Sequence, residues 1–354
     1  MSGVLLRLAC TAAVAAQAVL APAPAVAAPE PQRPVSELLT DLQQLYRQTE
    51  QATETYNATA EQLGKQQAEV DRLDGELARA RLALQGSRSD AGRLARQQYQ
   101  NRSDLSPYVR LLLAPDPQHA LDEGHVIGQL ARERAETVDR LAGTEKKKDA
   151  LARAARKALD TQQNLAARQK KQRDDVTTRL ADVERLLASL TPEQLSAIAR
   201  LEQQGVTQAQ DKLVTSGALG RAAVPSSAEG ERAVRYAMDQ IGKPYQWGAA
   251  GPKSYDCSGL TSQAWDHAGT PIPRTSQEQW DRLKRIPLTD LRPGDLVIYF
   301  PEATHVAMYV GDGKVVQAPR PGEKIRISPL ASNPVLGAVR PDGSRAQAPA
   351  TEAR

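Results

Sequence analysis

Leu63, Val70, Leu77 and Leu84 stand seven residues apart, and the register runs on to Ala91. Upstream, Val35, Leu38, Leu42, Leu45, Ala52 and Tyr56 recur by threes and fours. Sustained over this many heptads, the pattern is a coiled-coil seam and demands a long helix with a partner. Thr49, Thr59 and Gln66 occupy seam positions and weaken it. A second periodic run between Ile127 and Leu190 supplies the partner from the same chain. Pro107, Pro115 and Pro117 separate the two runs, stop the first helix and turn the chain. The expectation is an antiparallel helical hairpin over residues 29–204, each arm on the order of 90–100 Å long. Its tip falls near residues 101–125, where Leu111-Leu112-Leu113 reads equally as a closed apolar lobe or a docking surface.

The aromatic residues divide the chain. Trp247, Trp265, Trp280 and the single phenylalanine, Phe300, all follow residue 240, so a compact core is expected only there. Residues 1–28 are rich in Ala, Val and Leu, carry Arg7 as their one charge and end in Ala25-Val26-Ala27, the pattern of a cleaved export signal. The protein is therefore expected to be secreted, extracellular or wall-associated. Residues 205–227 mix Gly, Ser, Thr and Gln and read as a flexible linker, and residues 343–354 as a disordered tail. The net charge of +4 is unaccompanied by any basic stripe with interleaved aromatics, which argues against nucleic acid. His119 and His125, without a carboxylate or cysteine pattern around them, read as surface histidines rather than metal ligands.

Residues 228–342 carry the chemistry. Ser226-Ser227-Ala228-Glu229 opens a helix, Tyr255-Asp256-Cys257-Ser258-Gly259 leads into a second, and alternating β-type runs follow at 295–300, 305–310 and 314–318. Helices followed by an antiparallel sheet make an α+β domain. Removal of the leader takes Cys10 with it and leaves Cys257 as the one thiol, placed where unpaired N–H groups and the positive end of a helix favour thiolate. A thiol nucleophile needs a base. His267, ten residues along the same helix, is about 15 Å away. His305, opening a strand, is the remaining candidate. Across the Asp312-Gly313 turn, Gln317 stands at the height needed to orient the imidazole through its far nitrogen.

These segments resemble the NlpC-type cell-wall cysteine peptidases. The resemblance runs through Lys243-Pro244-Tyr245-Gln246-Trp247-Gly248, Tyr255-Asp256-Cys257-Ser258-Gly259-Leu260, Pro273-Arg274-Thr275-Ser276, Pro293-Gly294-Asp295-Leu296 and His305-Val306-Ala307-Met308-Tyr309-Val310-Gly311. It implies a papain-like fold with Cys257 as nucleophile, His305 as base and Gln317 in the third polar position, where many members carry His. It further implies that Tyr245 assists at the oxyanion and that Asp256 and Ser258 lie close to the substrate, with helix capping as a second reading of Asp256. The implied reaction is thiol-mediated hydrolysis of peptidoglycan stem peptides, usually at the γ-D-glutamyl–diaminopimelate bond, with no cofactor or metal. A coiled coil ahead of such a domain is similar to secreted division hydrolases of the RipA/RipC-like and PcsB-like kind. In some of those a helical hairpin covers the active site or is engaged by a membrane complex of the FtsE–FtsX type. The length of this hairpin and its tether at residues 205–227 lead to the expectation that it restrains the peptidase. An amidase or acyltransferase on the same fold, and a non-enzymatic scaffold or activator, are the competing readings.

Overall fold

The computed structural model describes residues 33–100, 107–220 and 225–343. The proposed leader and most of the proposed tail lie outside the described residues. Two long helices, α1 (Val35–Gln100) and α3 (Pro117–Ser189), form the hairpin arms, with the short α2 (Pro107–Leu112) at its tip. Val70, Leu73 and Leu77 of α1 pack on Ala155 and Ala158 of α3, whereas Leu38 and Leu42 pack on Val183. Rising numbers on one arm meet falling numbers on the other, so the arms are antiparallel. At the tip, Leu112 and Leu113 are exposed, which removes the closed-lobe reading for those two side chains.

The expected linker is helical for half its length. Helix α4 (Pro192–Thr215) begins with a reciprocal capping box between Thr191 and Gln194 and a proline at its start. It continues through Gly205 because Ile198, Glu202, Val206, Gln210 and Leu213 repeat by fours and a three, giving it a face to bury. That stripe is diluted by Gly, Thr and Gln, which is why composition reads as a tether. Leu213 and Leu219 pack on the C-terminal domain.

That domain contains α5 (Ala228–Met238), α6 (Cys257–His267) and α7 (Ser276–Arg282), followed by β1 (Lys284–Ile286), β2 (Leu296–Tyr299), β3 (His305–Gly311), β4 (Lys314–Gln317), β5 (Arg326–Pro329) and β6 (Val335–Arg340). The strands form one antiparallel sheet in the order β1-β6-β2-β3-β4-β5. Helix α7 and strand β1 were not legible in the sequence; both are too short to show a period. Asp312 and Gly313 take positive φ values of 51° and 65°, the geometry of a tight hairpin turn between β3 and β4.

Both faces of the sheet are covered. Leu296, Ile298, Val306, Met308 and Val316 meet α5 and α6 through Ala233, Leu260, Ala264 and Trp265. Val297, Tyr299, Ala307, Tyr309 and Val315 face the other way, toward Leu330 and the α4 side chains. Each buried side chain of this size is worth about 1.5–3 kcal/mol. Two-sided burial is the reason β2 and β3 read as continuous apolar runs rather than as alternating ones.

Candidate active site

Asp256 caps α6, its Oδ1 accepting the Gly259 N–H at 2.6 Å, and so sets Cys257 at the first helical position. Gly259 is required there, since a Cβ would overlap the Ala249 carbonyl. Helix α6 lies on β3, and the Val306 N–H is directed at the Cys257 sulfur. His305, one residue earlier, is fully buried. Its Nε2 stands 2.8 Å from Gln317 Oε1, and Gln317 Nε2 donates onward to Ser332 Oγ at 3.3 Å. An amide oxygen on Nε2 selects the tautomer with the proton there and leaves Nδ1 as the basic nitrogen. Cys257, His305 and Gln317 thus converge. Tyr245 belongs to the same buried cluster as Cys257, and burial, with Cys257 and Asp256 nearby, pushes its phenol up. His267 is exposed at the far end of α6, against the Tyr236 ring.

Asp256 and Ser258 are tied to Arg274. The guanidinium donates to Asp256 Oδ1 and Oδ2 at 3.0 and 2.7 Å and to Ser258 Oγ at 2.8 Å. Asp256 therefore both caps α6 and holds the arginine of the Pro273-Arg274-Thr275-Ser276 segment.

Helix α1 fills the cleft. Between Tyr46 and Thr59 it turns a polar face onto the C-terminal domain, burying Glu50, Glu54 and Asn57. Glu54 Oε1 accepts the Ser258 hydroxyl at 2.7 Å and lies 3.8 Å from Cys257 Sγ, while Oε2 accepts the Ser276 N–H at 2.7 Å. Glu50 Oε1 lies 3.2 Å from His305 Nδ1, in ion-pair range though out of line for a hydrogen bond. Asn57 donates to Asp256 at 3.1 Å, and Tyr56 packs edge-on against Trp247. Sequence reasoning missed Glu50, Glu54 and Asn57. The signal available was the polar break in the heptads at Thr49 and Thr59.

The electrostatics of this closed arrangement oppose catalysis. Burial, reinforced by Glu54, Asp256 and Glu50, pushes the Cys257 thiol well above its ordinary range and keeps it protonated. Burial disfavours the His305 imidazolium, but Glu50 and Gln317 outweigh it and raise the pKa. Burial and the Asp256 charge push Glu54 up to about 7, against the opposing pull of Ser258 and Arg274.

Glu54 and His305 therefore both bind protons more tightly with α1 docked than apart. The Glu54 contribution to docking is complete below its free value of 4.5 and is lost as pH rises through about 7. The His305 contribution is complete below its free value of 6.5 and is lost as pH rises through its raised value. Cys257, Glu50, Asp256, Arg274, Tyr245 and Tyr299 are the other titratable or charged groups facing this pair. The Ser276 amide, whose acceptor is Glu54, should show a hydrogen-exchange protection factor that falls from pH 5 to pH 8. A flat profile would contradict proton-linked docking.

Comparison with known proteins decides the family. A family model described as NlpC/P60 matches residues 242–338. A "Probable endopeptidase" of Corynebacterium glutamicum is 38% identical over 143 residues, covering 40% of this chain and 68% of the relative. The chain belongs to the NlpC/P60 family. Its peptidase domain is the papain-like α+β unit of that family, a family of cysteine peptidases. "Peptidoglycan endopeptidase RipA" of Mycobacterium tuberculosis is 34% identical over 149 residues, 37% of this chain but only 32% of its own length. The crystal structure of the NlpC/p60 domain of peptidoglycan hydrolase SagA matches with 30% identity and a TM-score of 0.30, over 31% of this chain and 97% of that one. Among the described residues of this NlpC/P60 protein, no group of three or more His, Cys, Asp and Glu is arranged to hold a metal ion.

Proposed function

We propose that the protein is an exported peptidoglycan endopeptidase that cuts the γ-D-glutamyl–diaminopimelate bond of stem peptides in wall remodelling or cell separation. The observation carrying this reading is the set of Cys257 at the α6 start, His305 beside it on β3, and Gln317 on His305 Nε2. His305 Nδ1 takes the Cys257 proton, and the thiolate attacks the amide carbon to form a tetrahedral oxyanion facing the Cys257 N–H and Tyr245. His305 then protonates the departing amine, and water, deprotonated by His305, releases the acid and restores the thiol. Gln317 orients the ring throughout without adding charge. The Ser258 hydroxyl and Ser276 N–H, now on Glu54, supply donors for the free carboxylate of a γ-linked glutamyl residue.

In this reading α1 restrains the enzyme in cis, because Glu50 occupies the base and Glu54 the nucleophile's side of the cleft. The exposed Leu112 and Leu113 suit a tip that meets a membrane division complex of the FtsE–FtsX type, whose pull would lift α1. Wall purified and digested with the full-length protein, wild type and Glu54→Lys, should yield new amino termini on diaminopimelate by mass spectrometry. Release of other termini would favour an amidase on this fold, and transfer of the acyl group to an amine an acyltransferase. No product from either protein, with full complementation of a deletion strain by Cys257→Ala, would favour a scaffold. The buried cleft is the feature that gives the scaffold reading any weight.

A further inference from the structure

We propose that Arg320 is a carboxylate-binding residue on the amine side of the scissile bond, covered by Glu202 while the hairpin is docked. The inference rests on the peptidase reading above and assigns a second recognition point to the same groove. Arg320 lies three residues beyond Gln317, just after β4. Its Nη1 and Nη2 donate to the two oxygens of Glu202 at 2.7 and 3.0 Å, the fork-to-fork geometry in which arginine reads a carboxylate. Nε donates to Glu323 of its own domain at 3.0 Å, and the Tyr46 ring stacks 4.7 Å from the guanidinium. Glu202 belongs to α4 and Tyr46 to α1. Undocking removes both, whereas Glu323 stays and keeps the side chain aimed.

A cavity of about 1030 Å³ adjoins this pair, lined among others by Glu50, Phe300, Gln317, Arg320 and Ser332. Two of these residues fix its place in the reaction. Glu50 faces His305 Nδ1, and Gln317 holds Nε2, so the cavity lies on the side of the base. In acyl transfer the base delivers its proton to the leaving amine, and the leaving half of the substrate must therefore lie on that side. Helix α1 fills the acyl half with Glu54, whereas on the amine half a cavity remains beneath its Tyr46 and Glu50. The helical body thus places one carboxylate at each end of the groove, Glu54 on Ser258 and Ser276, and Glu202 on Arg320. The ligand class that follows is an amino acid donating the amine of the cut bond and carrying a second, free carboxylate.

Calorimetric titration of the full-length chain with free diaminopimelate and with its diamide tests the assignment. Glu202→Gln should bind the dicarboxylate about tenfold more tightly than wild type, the effect of freeing one charge-assisted hydrogen-bonding fork. Adding Arg320→Gln should abolish the gain, and the diamide should bind every variant equally weakly. Glu202→Gln and Arg320→Gln remove the same strut between domains, so a difference between them reports recognition rather than loosened docking. Glu202→Ala serves as a second opening variant, with thermal melts to confirm folding. Equal binding of dicarboxylate and diamide, no gain in either Glu202 variant, or a gain that survives Arg320→Gln, would each overturn the proposal. A wall digest without new diaminopimelate amines would sink the cleavage reading but leave selective binding at Arg320 intact.

Discussion

Glu54→Lys in the full-length chain should raise wall-peptide hydrolysis on the order of 100-fold. In the docked structure the new ammonium would meet Arg274, a guanidinium already buried beside Asp256 and Ser258. It would also confront the Ser276 N–H, a donor that Glu54 now satisfies. Leaving a buried charge without its partner costs about 3–5 kcal/mol. Set against a docked–undocked equilibrium, a change of ~3 kcal/mol moves the open population by roughly two powers of ten. The same substitution should release the Ser276 amide to exchange and draw the Cys257 thiol down, since burial and the Glu54 and Glu50 carboxylates hold it up. Glu54→Gln, which keeps the shape and can still pair with Ser258, should change the rate far less. Equal rates for wild type and Glu54→Lys, measured by amine release from purified wall, would remove the case for restraint in cis.

Cys257→Ala in that opened background should abolish hydrolysis, with a loss of at least about 10⁴-fold in kcat, as removing a catalytic nucleophile does elsewhere. The substitution deletes one buried sulfur atom at the start of α6 and leaves the Asp256 cap in place, so the domain should stay folded. Binding of wall fragments should persist, because Ser258, Ser276 and Arg320 are untouched. Retained turnover in this variant would mean that the thiol is not the nucleophile and that another reading of the domain is needed. Measuring turnover and fragment binding on one preparation separates loss of chemistry from loss of substrate.

The catalytic half was legible because its constraints are local. Cys257 follows an N-cap aspartate and opens a helix, His305 begins a strand, and a two-residue turn brings Gln317 beside it. Each of these relations spans a few residues and leaves a mark in the order of residue types. The helical arms were legible for a related reason, since a seven-residue period survives wherever helix packs on helix. The relation between the two halves was not. Glu54 meets Ser258 across 204 positions, and no local pattern announces such a partner. Thr49 and Thr59 marked the place only as a weak stretch of seam, because a polar face that fits a second domain looks, in sequence, like a flaw in a coiled coil. The expected linker misled in the opposite direction: α4 buries Ile198 against the arms and half-buries Val206, Gln210 and Leu213 toward the domain and the cavity, and its exposed Gly, Thr and Gln residues hide that stripe.

The stiffness of the arms has a mechanical consequence. From Asn57 to the end of α1 there are 43 residues of uninterrupted helix. At 1.5 Å per residue this is a lever of roughly 65 Å, so a tilt of ~5° about the cleft moves its end by only ~6 Å. A push or pull of that size at the tip is within the travel of an ordinary conformational change in a partner. It reaches Glu50 and Glu54 with the advantage of a long arm over a short one. Gln210 of α4 meanwhile holds the Gly313 carbonyl and the Ala331 N–H, a second grip of the helical body on the domain beside the same cavity. In the proposed restraint the hairpin is a lever, with the two carboxylates Glu50 and Glu54 at its short end.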